Sequence, residues 1–115
     1  MATEVFKNGY QNVTNSASAI YTAPTDAGDV SIVLSLRVTN VDGSADDTII
    51  AEVKDQGGSL DAKVAHTMTV PADSSLELAG TSKLVLEAGD YIQLTGGAAS
   101  GDLEAFISVL EIQAY

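Results

Sequence analysis

A chain of 115 residues with 45% apolar side chains is long enough for one domain with a true core. Its 5% aromatic content and lack of Trp leave Val, Ile, Leu and Ala to build that core, and the absence of Cys excludes disulfides and thiolate metal sites. A balance of 16 acidic to 5 basic side chains sets the net charge at −11, which argues against nucleic-acid or anionic-membrane binding, since both need clustered Lys and Arg.

The chain opens on Met1-Ala2-Thr3-Glu4, with no basic stretch leading into an apolar one, so no secretory signal is expected. No apolar run approaches the roughly 18 residues of a membrane span. The expectation is a soluble chain made in a cytoplasm. Residues 1–15 are polar, with a short strand pattern at Glu4 to Lys7, and read as an N-terminal arm or edge strand. A single β-sandwich domain is expected over 16–115.

Ala17 to Tyr21 is a second short strand. From Val30 to Asn40 the alternation is clear: Ile32, Leu34, Leu36 and Val38 fall on one face, Ser31, Ser35, Arg37 and Thr39 on the other. Thr48 to Lys54 sets Ile49, Ala51 and Val53 opposite Ile50 and Glu52. Lys63 to Val70 sets Val64, His66, Met68 and Val70 opposite Ala65, Thr67 and Thr69, and a short strand follows at Ser75 to Leu78. The segment Ser82 to Thr95 reads as a hairpin, with Leu84 and Leu86 before the turn and Ile92 and Leu94 after it. In that turn Gly89 is free to take a positive φ and Asp90 can accept from nearby backbone N–H groups. The last strand, Leu103 to Ile112, carries Leu103, Ala105, Ile107 and Val109 on one face and Phe106, Ser108, Leu110 and Ile112 on the other. With apolar residues on both sides it should be covered twice or enter an interface. About eight short strands, with turn signals every 8–12 residues or so, indicate an all-β antiparallel sandwich, jelly-roll-like.

Chemistry is sparse. His66 is the sole histidine and lies on the apolar face of its strand, so it reads as a packed or edge-of-core residue rather than a base or ligand. The loop Asn40 to Asp47 offers Asp42, Asp46 and Asp47, but lacks the Gly and Glu placement of a calcium loop and reads as a solvated turn. Gly96-Gly97-Ala98-Ala99-Ser100-Gly101 lacks the Lys and helix of a phosphate loop. No nucleophile elbow occurs, and the carboxylates sit in turns or on exposed strand positions, away from any aromatic groove for a sugar. Tyr10, Tyr21, Tyr91 and Tyr115 are candidates for an interface. No enzyme, cofactor site or metal site is expected.

The run Ala17-Ser18-Ala19-Ile20-Tyr21-Thr22-Ala23-Pro24 precedes the long strand Ile32 to Asn40. Then come Val70-Pro71-Ala72-Asp73-Ser74-Ser75-Leu76, Lys83 to Ile92 and Ser108 to Ile112. Together these resemble small virion structural proteins of tailed bacteriophages, over about residues 16–112. The resemblance implies a non-enzymatic capsid decoration (cement) protein, a homotrimer, bound to the major capsid protein on the outer surface of the virion. No family site residue carries over. The competing readings are a tail or fibre-base component and a module that binds glycan on a host surface. The surfaces expected to matter are the N-terminal arm, the edge strands and the loops near Asp42 and Gly57.

Overall fold

The computed structural model describes residues 3–59, 61–80 and 82–113. Among them all regular structure is strand: β1 (Thr3–Val13), β2 (Ser18–Thr22), β3 (Val30–Asn40), β4 (Asp47–Lys54), β5 (Asp61–Val70), β6 (Ser75–Glu77), β7 (Leu84–Glu87), β8 (Tyr91–Gly96) and β9 (Leu103–Gln113). They form two antiparallel sheets, one ordered β1-β9-β3-β6 with β7 also on β3, the other β2-β8-β4-β5. Strands β6 and β7 are two pieces laid along the same edge of β3, so each sheet has four positions. Only β4 and β5 are neighbours both in the chain and in a sheet, and the other pairings cross between distant segments. This is the topology of a jelly roll.

That topology corrects the expected hairpin at Ser82 to Thr95. Strand β7 pairs with β3, while β8 pairs with β2 and β4 in the opposite sheet. The turn is a corner between sheets. Gly89 takes φ +81°, its N–H donates to Pro24 O at 3.0 Å, and the Ala23 N–H donates to Asp90 O at 2.8 Å. Asp90 accepts from the Glu87 N–H through its carboxylate at 2.9 Å. Alternation along one segment fixes its two faces but not its partner, and a corner uses the same residues as a hairpin turn.

The alternation of β3 also breaks. Its register against β9 shifts between Val33 and Ser35, so Ser31 and Val33 are buried before the shift and Leu36, Val38 and Asn40 after it. Ile32 and Leu34 therefore leave the expected core face. A bulge frees backbone groups from the ladder, and here β6 and the loop after it supply replacements. Glu77 Oε2 accepts from Leu36 N at 2.7 Å and Ala79 N at 3.1 Å, Leu78 N donates to Leu36 O at 2.8 Å, and Lys83 Nζ donates to Leu34 O at 3.1 Å. In β5 a second irregularity sets His66 and Thr67 against Ile50 alone, with Thr67 at φ 50°. Ala65 and Val70 turn inward there and His66 is exposed, so His66 is not a core residue.

The core lies between the inner faces: Leu36, Ile49, Leu86, Ile92, Leu94, Leu103 and Ile107 are fully buried among Val13, Val33, Val38, Val70 and Val109. Strand β1 is longer than its sequence suggests. Asn8, Gly9, Gln11 and Asn12 are poor strand formers, and the strand is held by pairing with β9 from Thr3–Gln113 to Val13–Leu103.

Candidate functional site

The two sheets present unlike outer faces. On the four-stranded sheet the outward side chains of β4, β5 and β8 are tied by polar contacts. Lys63 reaches Glu52 at 3.1 Å and Asp61 at 3.2 Å, Lys54 reaches Asp61 at 3.6 Å, and Gln93 donates to Glu52 at 3.5 Å. The hydrogen bond to Glu52, and next the one to Asp61, raise the pKa of Lys63 above its ordinary value. This face is tied by paired charges.

The five-stranded sheet is its opposite. Cross-strand registry aligns Phe6, Leu110, Ile32 and Val85 in one row across β1, β9, β3 and β7. A row nearer the other end of the strands aligns Tyr10, Phe106, Arg37 and Glu77, and Asn8, Ser108 and Ser35 lie between the two. Phe6 is 75% exposed, Tyr10 83%, Val85 62% and Phe106 45%. A groove of about 390 Å³ crosses this face between Tyr10, Asn12, Arg37, Glu104 and Phe106. Carboxylates stand at the margins: Glu4 opposite Ile112, Glu87 opposite Val30, and Glu104 opposite Asn12. Exposed apolar surface of this continuity is the mark of an interaction face.

The other sequence candidates are structural. Asp42 accepts from the Ser44 and Ala45 N–H groups at 2.8 and 3.2 Å and from the Ser44 hydroxyl at 3.1 Å, bonds that hold its carboxyl below the usual range. Asp46 accepts from Ala72 N at 3.1 Å, and Asp47 Oδ1 from Thr48 N and Gly97 N at 2.7 and 3.1 Å. Asp42 thus fastens its own loop while Asp46 and Asp47 tie it to the segments at Ala72 and Gly97, and among the described residues no group of three or more His, Cys, Asp and Glu is arranged to hold a metal ion. The glycine-rich stretch joins β8 to β9, with Gly96 N donating to Thr14 O at 2.7 Å. Of the tyrosines, Tyr10 lies on the apolar face and Tyr91 is half-buried at the start of β8, while Tyr115 lies outside the described residues. Tyr21 is interior. Its hydroxyl donates to Glu111 Oε2 at 2.5 Å and meets Ser31 Oγ at 2.9 Å, and burial, reinforced by the Glu111 carboxylate, raises its pKa. Lys7 Nζ stands 3.2 Å from Glu111 Oε1, close enough for an ion pair but off the hydrogen-bond direction, so that buried oxygen has no hydrogen-bond donor among the described residues.

Reading single segments misses the apolar face, because Phe6, Val85 and Phe106 meet only through pairing of distant strands. The one local signal is β9, apolar on both sides.

No protein family matches the sequence, and no curated protein does either. Solved structures share the fold. A capsid protein of the Helicobacter pylori bacteriophage KHP30 aligns over 100% of both chains with a TM-score of 0.54 and 10% identity. A protein of the infectious bursal disease virus Gx strain aligns over 96% of this chain with a TM-score of 0.56 and 10% identity, and this chain spans only 32% of it. A subunit of Bacillus endospore appendages, which are disulfide-linked pili, aligns over 100% of this chain and 88% of its own with a TM-score of 0.52 and 15% identity.

Proposed function

We propose that this chain is a non-enzymatic structural protein of a bacteriophage particle, a decoration (cement) protein that works in many copies on the outer surface of the capsid. The observation that carries the reading is the unlike pair of outer faces: an ion-paired face on one sheet, an exposed apolar face on the other. A subunit that sits at a boundary between assembly and solvent needs both. The jelly roll and its likeness to virus-particle proteins support the same reading. The pilus relative is disulfide-linked, and a chain without Cys cannot copy that linkage.

Attachment to the shell is assigned to the end that carries the β3–β4, β5–β6 and β8–β9 loops. Backbone bonds tie these loops together there: Asn40 N to Ser74 O at 2.8 Å, Val41 N to Asp102 O at 2.9 Å, and Asp73 N to Asp42 O at 3.1 Å. Asp42, Asp46, Asp73 and Asp102 give that end a negative charge suited to a basic patch on the major capsid protein. Many weak contacts on a symmetric shell add up to firm attachment. The homotrimer implied by the resemblance is one way to present several such ends at once.

Mass spectrometry of purified particles, with immunogold labelling against this chain, tests the reading. Label distributed over the head supports a decoration protein. Label confined to the tail moves the chain to the tail or fibre base, and its absence from particles overturns a virion role.

A further inference from the structure

We infer that the outer face of the five-stranded sheet is covered by the same face of a second copy of this chain. The inference rests on the reading that the protein works in many copies, and it names the surface through which copies meet.

Area is the first argument. Phe6, Tyr10 and Phe106 are 75%, 83% and 45% exposed, and at about 200 Å² per aromatic side chain this leaves roughly 400 Å² of ring surface in water. Val85, 62% exposed, and the half-buried Ile32, Leu110 and Ile112 extend the patch toward the about 800 Å² that each partner contributes to a standard interface.

Charge selects the occupant. The chain carries −11, yet the row Phe6-Leu110-Ile32-Val85 and the shorter row Asn8-Ser108-Ser35 contain no ionisable side chain, and the Tyr10 row adds one Arg37 and one Glu77, equal and opposite. A basic partner would find nothing to pair with at the centre of this face. A second copy brings an equally neutral centre and leaves its carboxylates at the rim, in water. An interface that uses one patch on both subunits must be self-complementary in this way. The ion-paired face of the other sheet then remains outermost on both copies.

Face-to-face pairing requires an even number of copies, so the smallest assembly is a dimer. If the chain also forms a three-fold ring, it is a pair of rings.

Sedimentation equilibrium on the full chain tests this, comparing wild type with Phe6→Ser, Val85→Ser and Met68→Ser. Met68 is 42% exposed but lies on β5, in the four-stranded sheet, and serves as the control. Circular dichroism establishes that each variant is folded. The expected result is an even-numbered wild-type assembly whose association weakens by roughly 10-fold or more in Phe6→Ser and in Val85→Ser, and is unchanged in Met68→Ser. Wild-type association that both face variants leave intact overturns the surface while sparing the assembly reading. A purely trimeric wild type overturns it as well. A wild type that is monomeric at every concentration, yet abundant on particles, overturns it by making a shell protein the occupant.

Discussion

Replacing Glu77 by Ala probes the joint that lets β3 change phase. One carboxylate oxygen of Glu77 accepts from Leu36 N at 2.7 Å and from Ala79 N at 3.1 Å, and Leu36 itself is fully buried. Hydrogen bonds to a charged acceptor contribute about 1.5–3 kcal/mol each, and a buried N–H left without a partner costs about 1–3 kcal/mol. Water can replace the Ala79 bond more readily than the Leu36 bond, so the expected loss is about 2–4 kcal/mol. At roughly 4 °C per kcal/mol for a chain of this size, the melting temperature should fall by about 8–16 °C. Urea denaturation gives the free energy, and amide exchange at Leu36 locates it, with protection at Leu36 falling more than at Ile107 in the neighbouring strand. Glu77→Gln keeps an acceptor oxygen and should lose less. A Glu77→Ala protein within about 0.5 kcal/mol of wild type would refute the claim that this carboxylate secures the bulge.

Three further outcomes follow from the same contacts. Tyr21→Phe removes the donor to Glu111 and the contact with Ser31, and should cost about 2 kcal/mol by urea denaturation. The pKa of Tyr21 is raised on folding, so its contribution is complete below the unfolded value near 10 and declines as pH rises beyond it. Wild-type melting temperature should therefore drop in strong alkali by more than that of Tyr21→Phe. Asp42 is shifted the other way: its contribution is present above the unfolded value of about 4 and is lost as pH falls through the lower folded value. Asp42→Ala should flatten the acid limb of a melting-temperature profile, and an unaltered limb would contradict the loop account. Gly97→Ala places a Cβ 2.5 Å from Thr48 Oγ1 and 2.8 Å from Asp47 Oδ1, and should destabilise the β8–β9 connection by about 1–3 kcal/mol in thermal or urea unfolding.

Much of the fold is legible in the sequence because strands declare themselves by local alternation. The segments around β3, β4, β8 and β9 are apparent from their own Val, Ile and Leu, and the jelly-roll-like sandwich follows from their number and spacing. What local reading cannot supply is pairing. Leu84 and Ile92 look like two arms of one hairpin, yet the turn at Gly89 carries the chain from one sheet to the other. The bulge at Leu34 is equally silent, because a single inserted residue inverts the faces of Ile32 and Leu34 without changing composition. The apolar face is hidden for the same reason: Phe6, Phe106 and Val85 are scattered over most of the chain and form one surface only once β1, β7 and β9 are in register.

The claim that this protein is a repeated component of a phage shell is tested most directly by a cryo-electron-microscopy reconstruction of intact particles. The account predicts jelly-roll density on the outer surface of the capsid, in symmetric copies. In each copy the Asp42 end should meet the shell and the five-stranded sheet should face another copy. A capsid surface that carries no such density, or copies whose Phe6–Val85 row lies open to solvent, would contradict it.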